Sequence, residues 1–194
     1  AGGSSRTIWW PEGWGGGCSP WGEVWATCNL VTWILEGRGV DESLEAWLGQ
    51  HLSRKKWRIT TAESCTGGLI GHRITNVPGS SNYYDRGFIT YSNEAKMAIL
   101  GVPEEVLIAH GAVSDACARA MAEGARRAVG AESAGTELGP PEVGLAVTGI
   151  AGPGGGAPDK PVGTVFMSVA LPSGTRSGRY LFEGDRAAVK EQTA

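Results

Sequence analysis

The residues with the clearest capacity for chemistry stand in Thr61-Ala62-Glu63-Ser64-Cys65-Thr66-Gly67-Gly68. Ser64 is where a nucleophile would sit. It follows a run of strand formers, Trp57-Arg58-Ile59-Thr60-Thr61, and precedes Leu69-Ile70-Gly71-His72-Arg73-Ile74, whose apolar positions 69, 70, 74 and 77 repeat at helical spacing. A strand, a tight turn and a helix start leave backbone N–H groups free and aim the positive end of a helix dipole at one spot. Such a junction can hold an anion, or a developing oxyanion, beside a nucleophile. The plainer use of the same residues is helix capping by Ser64 and Thr66.

A second cluster, Tyr91-Ser92-Asn93-Glu94-Ala95-Lys96, supplies a base. Lys96 falls in the first turn of a helix capped by Ser92 or Asn93, where the dipole disfavours a cation. That placement, and burial with it, favours the neutral amine. A neutral amine can take a proton from Ser64 and form a Ser–Lys nucleophile–base pair; a solvated surface lysine is the alternative. A Ser–His–Asp triad is less attractive, because His72 lies eight residues along the helix, about 12 Å away, and no motif supports His110. Cys65, beside the helix start, is the second-choice nucleophile, as a thiolate of lowered pKa. The third cluster is the loop Thr148-Gly149-Ile150-Ala151-Gly152-Pro153-Gly154-Gly155-Gly156, with Lys160 beyond it. It lacks the G-K-[ST] ending of a Walker A motif and the G-x-G-x-x-G spacing, so a phosphate cradle and a plain loop are both open. All three clusters stand at strand ends, where open α/β sheets bind ligands.

The elements that must position them read as follows. Asp41 or Ser43 caps a helix through about His51, closed by Arg54-Lys55-Lys56. Strand 57–62 leads into the Ser64 helix, and Asn76-Val77-Pro78-Gly79-Ser80-Ser81 is a turn. A strand over Gly87–Tyr91 precedes the Lys96 helix, which ends at Leu100 before Gly101 and Pro103. A short helical turn over Glu104–Ala109 and a linker at 110–113 follow. Ser114 then caps a helix through Val129 with a stripe of Cys117, Ala120, Met121, Ala125 and Ala128. After a polar loop at 130–141, the apolar run Val143–Val147 predicts a strand buried on both faces. Strands over 164–171 and 178–182 precede a last helix capped by Asp185. The mixture predicts an α/β fold with helices on both faces of one sheet.

Composition bounds the rest. The chain has 194 residues and a formal net charge of −3, which argues against a nucleic-acid footprint. No apolar run reaches the roughly 18 residues of a membrane span, and no signal-peptide pattern is present. The four cysteines (18, 28, 65 and 117) form no C-x-x-C pair, which fits a reducing cytoplasm; the three histidines (51, 72 and 110) show no metal-ligand pattern. Residues 1–40 hold six of the eight Trp and nine Gly, and read as an irregular extension of unknown role. The first residue is not Met, so a processed chain or a fragment is expected.

Taken together and in order, the three clusters, Val77-Pro78-Gly79-Ser80-Ser81, Gly111-Ala112-Val113-Ser114 and Lys160-Pro161-Val162-Gly163-Thr164 resemble the CinA C-terminal domain family, the nicotinamide-nucleotide amidases. The resemblance covers about residues 42–194. It implies a three-layer α/β/α sandwich and hydrolysis of nicotinamide mononucleotide to nicotinate mononucleotide and ammonia, with no metal and no cofactor. It implies Ser64 as nucleophile, with Lys96 and Tyr91 as activating partners. Substrate contacts are expected from Glu63, Cys65, Thr66, Gly67, Gly68, Ser81, Thr148, Gly149, Gly152, Pro153 and Gly154. Arg186 joins them on charge and position, as a phosphate ligand. A homo-oligomer is expected, with neither nucleic acid nor membrane as partner. The alternative function is a non-catalytic nucleotide- or partner-binding module linked to competence or DNA damage. Residues 1–40 match nothing in the family, the loop at 130–141 looks long, and the last helix stops where family members continue.

Overall fold

The computed structural model describes residues 43–132 and 140–194. The expectations for residues 1–40, and for Asp41 as a cap, lie outside them. The chain runs α1 (Leu44–Lys55), β1 (Ile59–Glu63), α2 (Leu69–Thr75), a 3-10 turn (Ser80–Asn82), β2 (Tyr84–Ile89), α3 (Asn93–Leu100), α4 (Glu104–His110), α5 (Asp115–Glu132), β3 (Val143–Gly149), β4 (Thr164–Leu171), β5 (Gly174–Leu181) and α6 (Arg186–Thr193). The strands form one sheet in the order β2-β1-β3-β4-β5. β1 is parallel to both β2 and β3, whereas β4 and β5 join as antiparallel hairpin partners.

Each sheet face carries its own core. On one, Leu52 of α1, Ile70 and Ile74 of α2 and Val189 of α6 pack with Ile59, Val143, Val147 and Val165 of the sheet. On the other, Cys117, Met121, Ala122 and Ala125 of α5 meet Ala62, Ala146 and Ala170, and Leu100 of α3 closes over them. The fold is therefore the three-layer α/β/α sandwich expected. β1 is buried along its whole length, and its two threonines are satisfied inside. Thr60 donates to the Arg86 carbonyl at 2.9 Å, and Thr61 shares a hydrogen bond with the Tyr84 hydroxyl at 2.9 Å.

Several boundaries moved. α1 continues to Lys55, since its last turn carries Arg54 and Lys55 against the dipole, and Lys56 ends it in a left-handed conformation (φ 54°). β2 begins at Tyr84 and β5 at Gly174. Both are edge strands, so charged residues such as Asp85, Arg86 and Arg176 are tolerated on them and blurred the apolar signal. The stripe of α5 is broader than Cys117, Met121 and Ala125: Ala118, Ala122 and Val129 are also buried, while Ala120 and Ala128 are only half-buried.

α5 lies tight on the sheet because Gly144 has no side chain. A Cβ there would collide with the Ala122 carbonyl oxygen of α5 and stand 2.7 Å from Cγ of Arg126. Gly144→Ala is expected to lower stability by about 2 kcal/mol through overpacking. The readout is a lower urea midpoint with an unchanged slope.

Candidate active site

Register brings the clusters together. Glu63, the last residue of β1, pairs with Ile89 of β2 on one side and Val147 of β3 on the other. The segments just beyond these three positions therefore emerge side by side: Ser64-Cys65, Thr90-Tyr91-Ser92 and Thr148-Gly149. The chain leaves β1 for β2 on one flank and returns to β3 on the other, so the crevice lies at the carboxyl ends of parallel strands where the strand order reverses. A cavity of about 240 Å³ opens there, lined by Ser64, Cys65, Tyr91, Asn93, Lys96, Ala112, Val113, Thr148, Gly149, Ala151 and Arg186.

Lys96 and Ser64 meet at its base. Lys96 is only 1% exposed, and its Nζ stands 3.2 Å from Ser64 Oγ. The same nitrogen donates to the Thr90 carbonyl at 2.9 Å and approaches those of Tyr91 and Ser92 at 3.4 and 3.5 Å. Among the described residues no carboxylate forms an ion pair with it. Burial therefore lowers its pKa from the ordinary 10.5, against an opposing pull from the Cys117 and Cys65 sulfurs and the Glu94 carboxylate. A neutral amine can donate to Thr90 and a second carbonyl while its lone pair faces Ser64. Lys96 owes its position to α3, whose N-cap Ser92 accepts from the Ala95 N–H at 3.1 Å.

The turn after β1 differs from a simple serine cap. α2 begins at Leu69, behind two consecutive left-handed glycines, Gly67 (φ 64°) and Gly68 (φ 102°). Its free N–H groups are taken by Glu63, which is 2% exposed. One carboxylate oxygen accepts from Gly68 and Ile70 at 2.9 and 3.1 Å, and the other from Gly71 at 2.8 Å. Glu63 is thus turned into the helix and away from the cavity, and neither Ser64 nor Thr66 caps it. Loss of this carboxylate strands three N–H groups, so Glu63→Ala is expected to cost about 3 kcal/mol, measured as a fall in thermal midpoint. By contrast, no carbonyl among the described residues accepts from the N–H of Cys65, Thr66 or Gly67.

Cys65 lines the cavity, yet its thiol is pushed up to about 11. Burial is the main cause, and the Glu63 charge adds to it; the N–H groups of Cys65 and Thr66 and the Lys96 charge oppose it. A thiolate at neutral pH, the form a cysteine nucleophile requires, is thereby disfavoured. Alkylation of Cys65 by iodoacetamide is expected to be slow at pH 7 and to quicken by about tenfold per pH unit, with the thiolate fraction.

The other expected residues divide. Thr148 and Gly149 line the cavity, and Thr148 Oγ1 donates to the Ala112 carbonyl at 2.8 Å, pinning the Ala112-Val113 wall. Tyr91 is at the mouth, 62% exposed, and its hydroxyl accepts from Arg186 Nη2 at 2.8 Å rather than bonding Ser64. Arg186 also donates to the Gly152 carbonyl at 2.7 Å, so it ties the Gly-rich loop to Tyr91. Gly152, Pro153 and Gly154 are outside the lining, as are Thr66, Gly67 and Gly68. Ser81 precedes β2, whose Tyr84 pairs with Ile59 at the start of β1, so it sits at the opposite end of the sheet. Asn93, Ala112, Val113 and Ala151 line the cavity without having been singled out. Their signal was present, since each lies in one of the ordered motifs. Among the described residues, no group of three or more His, Cys, Asp and Glu could hold a metal ion, and no helix is long and apolar enough to cross a membrane.

Comparison with known proteins converges on one family. The model of the CinA C-terminal domain matches residues 41–194. The CinA-like protein of Syntrophobacter fumaroxidans is 49% identical over 160 residues, which is 82% of this chain and 35% of the relative. This chain spans only about a third of the length of the curated relatives it matches. Among solved structures, the competence damage-inducible protein A of Klebsiella pneumoniae superposes with a TM-score of 0.70 at 35% identity, covering 77% of this chain and 86% of that one. The competence/damage inducible protein CihA of Agrobacterium tumefaciens gives 0.69 at 37% identity, covering 77% and 86%.

Proposed function

This chain belongs to the CinA C-terminal domain family, and on that premise we propose that it is an amidohydrolase acting on nicotinamide mononucleotide. The products are nicotinate mononucleotide and ammonia, a reaction of pyridine-nucleotide salvage. The observation that carries the reading is the buried contact of 3.2 Å between Lys96 Nζ and Ser64 Oγ at the base of the cavity. A buried lysine with no carboxylate partner among the described residues is costly to fold around, and a base for the adjacent hydroxyl is what it can supply in return.

In this mechanism the Ser64 hydroxyl gives its proton to neutral Lys96 as its oxygen bonds the carboxamide carbon. The carbonyl oxygen becomes an oxyanion, received by N–H groups of Cys65 to Gly67, which have no carbonyl acceptor among the described residues. Lys96 returns the proton to the departing nitrogen, and ammonia leaves with the C–N bond broken. Water then attacks the Ser64 ester and gives a proton to Lys96; the bond to Ser64 Oγ breaks as Lys96 returns that proton to the serine oxygen, and the acid leaves as the carboxylate with its proton passing to solvent. Tyr91 and Arg186 act at the mouth, where their hydrogen bond holds the Gly152 end of the loop beside the substrate.

The reading is tested by incubating the chain with nicotinamide mononucleotide and assaying both products. Ammonia and nicotinate mononucleotide are expected in equal amounts. Saturable binding of the nucleotide with no release of ammonia would overturn the amidase and leave a binding module.

A further inference from the structure

The amidase reading, on which this inference rests, does not say which group receives the anionic end of the substrate. Arg186 is the obvious cation at the mouth, but it is already engaged by the Gly152 carbonyl and the Tyr91 hydroxyl. One turn further along α6 stands Lys190, on the same side of the helix and half-buried. Its Nζ lies 3.8 Å from the position a Cβ would take on Gly67. Its side chain makes no hydrogen bond or ion pair to any of the described residues. Gly67 is left-handed, and its lack of a side chain leaves the space before Lys190 open.

From this geometry we infer that Lys190 selects a phosphate-bearing substrate, its ammonium holding the phosphate in the space that Gly67 leaves open. The cavity fits that choice. Among the described residues its lining contains the cation Arg186 and no acidic side chain. The nearest carboxylate in the turn, Glu63, is occupied by the start of α2. Gly67 is three residues from Ser64, at most about 10 Å along the chain, so an anchor there suits a mononucleotide better than a dinucleotide. Lys190 acts in binding, and the chemistry at Ser64 does not pass through it.

The test compares nicotinamide mononucleotide with nicotinamide riboside, which lacks the phosphate, in the unmodified chain and in Lys190→Met. The ratio of kcat/KM, nucleotide over nucleoside, is expected to fall by roughly 10- to 100-fold in the variant, through KM rather than kcat. A ratio unchanged in Lys190→Met, or a loss confined to kcat, would overturn the inference while leaving the amidase intact. If the unmodified chain releases no ammonia, the amidase reading itself fails, and calorimetry with ribose 5-phosphate decides the anchor separately. Weakening of that binding by tenfold or more in Lys190→Met supports the site, and equal binding by both proteins rejects it.

Discussion

Ser64→Ala is expected to lower ammonia release from nicotinamide mononucleotide by roughly 10⁴-fold or more and to leave the fold intact. The two halves of this expectation have separate causes. In the proposed mechanism Ser64 Oγ forms the bond to the carboxamide carbon, and Cys65, its neighbour, does not replace it at neutral pH because it holds its proton up to about 11. The fold survives because the serine side chain caps no helix: α2 is held by the Glu63 carboxylate. The Ser64 backbone bond to the Val147 carbonyl, at 3.1 Å, does not depend on the side chain. Circular dichroism and the thermal midpoint should therefore match the unmodified chain while turnover disappears. Turnover retained in Ser64→Ala and lost in Cys65→Ala would move the nucleophile to the thiol.

Lys96→Met has the second largest effect, and it separates catalysis from stability. Without the amine the Ser64 proton has no acceptor, and the rate is expected to fall by about 10²- to 10⁴-fold, the usual worth of a general base. In the unmodified chain the rate is expected to rise with pH as Lys96 loses its proton and to level off above its lowered pKa. Stability follows the same titration. Folding depresses this pKa below 10.5, chiefly by burial, so between the two values the unfolded chain binds the proton that the folded chain has released. Stability therefore rises with pH through that window and carries its full penalty below it. Lys96→Met has no proton to exchange, and its stability should lack this rise. Urea unfolding of both proteins across alkaline pH checks the difference. Parallel curves would mean that Lys96 is not the group whose burial is being relieved.

Much of the site could be read before the fold was known, for a physical reason. Ser64 and the Tyr91–Lys96 cluster each follow a strand that could be recognised by its residues, Thr148-Gly149 end another, and parallel strands in register deliver their carboxyl ends to one edge. Lys96 in the first turn of a helix was a local anomaly, and local anomalies survive without tertiary information. What could not be read was side-chain direction. Glu63 lies five to eight residues before the N–H groups it caps, outside the spacing of a capping box, so nothing local marked it as a cap. The Tyr91 hydroxyl turns to Arg186 because the two residues, 95 apart in sequence, meet only once α6 packs beside β3 and β4. Ser81 belongs to the same ordered motifs but enters β2 from its far end, and order along a chain does not say which end of a strand a residue occupies. The starts of β2, expected at Gly87 through Tyr91 but running Tyr84–Ile89, and of β5 are obscured for a different reason. Their exposed edges accept Asp85, Arg86, Arg176 and Arg179, so the alternation that betrays a buried strand is diluted there.

The central claim is that Ser64 forms an ester with the substrate, and partitioning with hydroxylamine tests it most directly. An acyl-enzyme is attacked by hydroxylamine as well as by water. The account predicts that the hydroxamate of nicotinate mononucleotide appears in rising proportion as hydroxylamine is added, while ammonia release does not slow, and that Ser64→Ala gives neither product. Formation of the carboxylate alone, at hydroxylamine concentrations that should compete with water, would contradict it and point to direct attack by water on the amide.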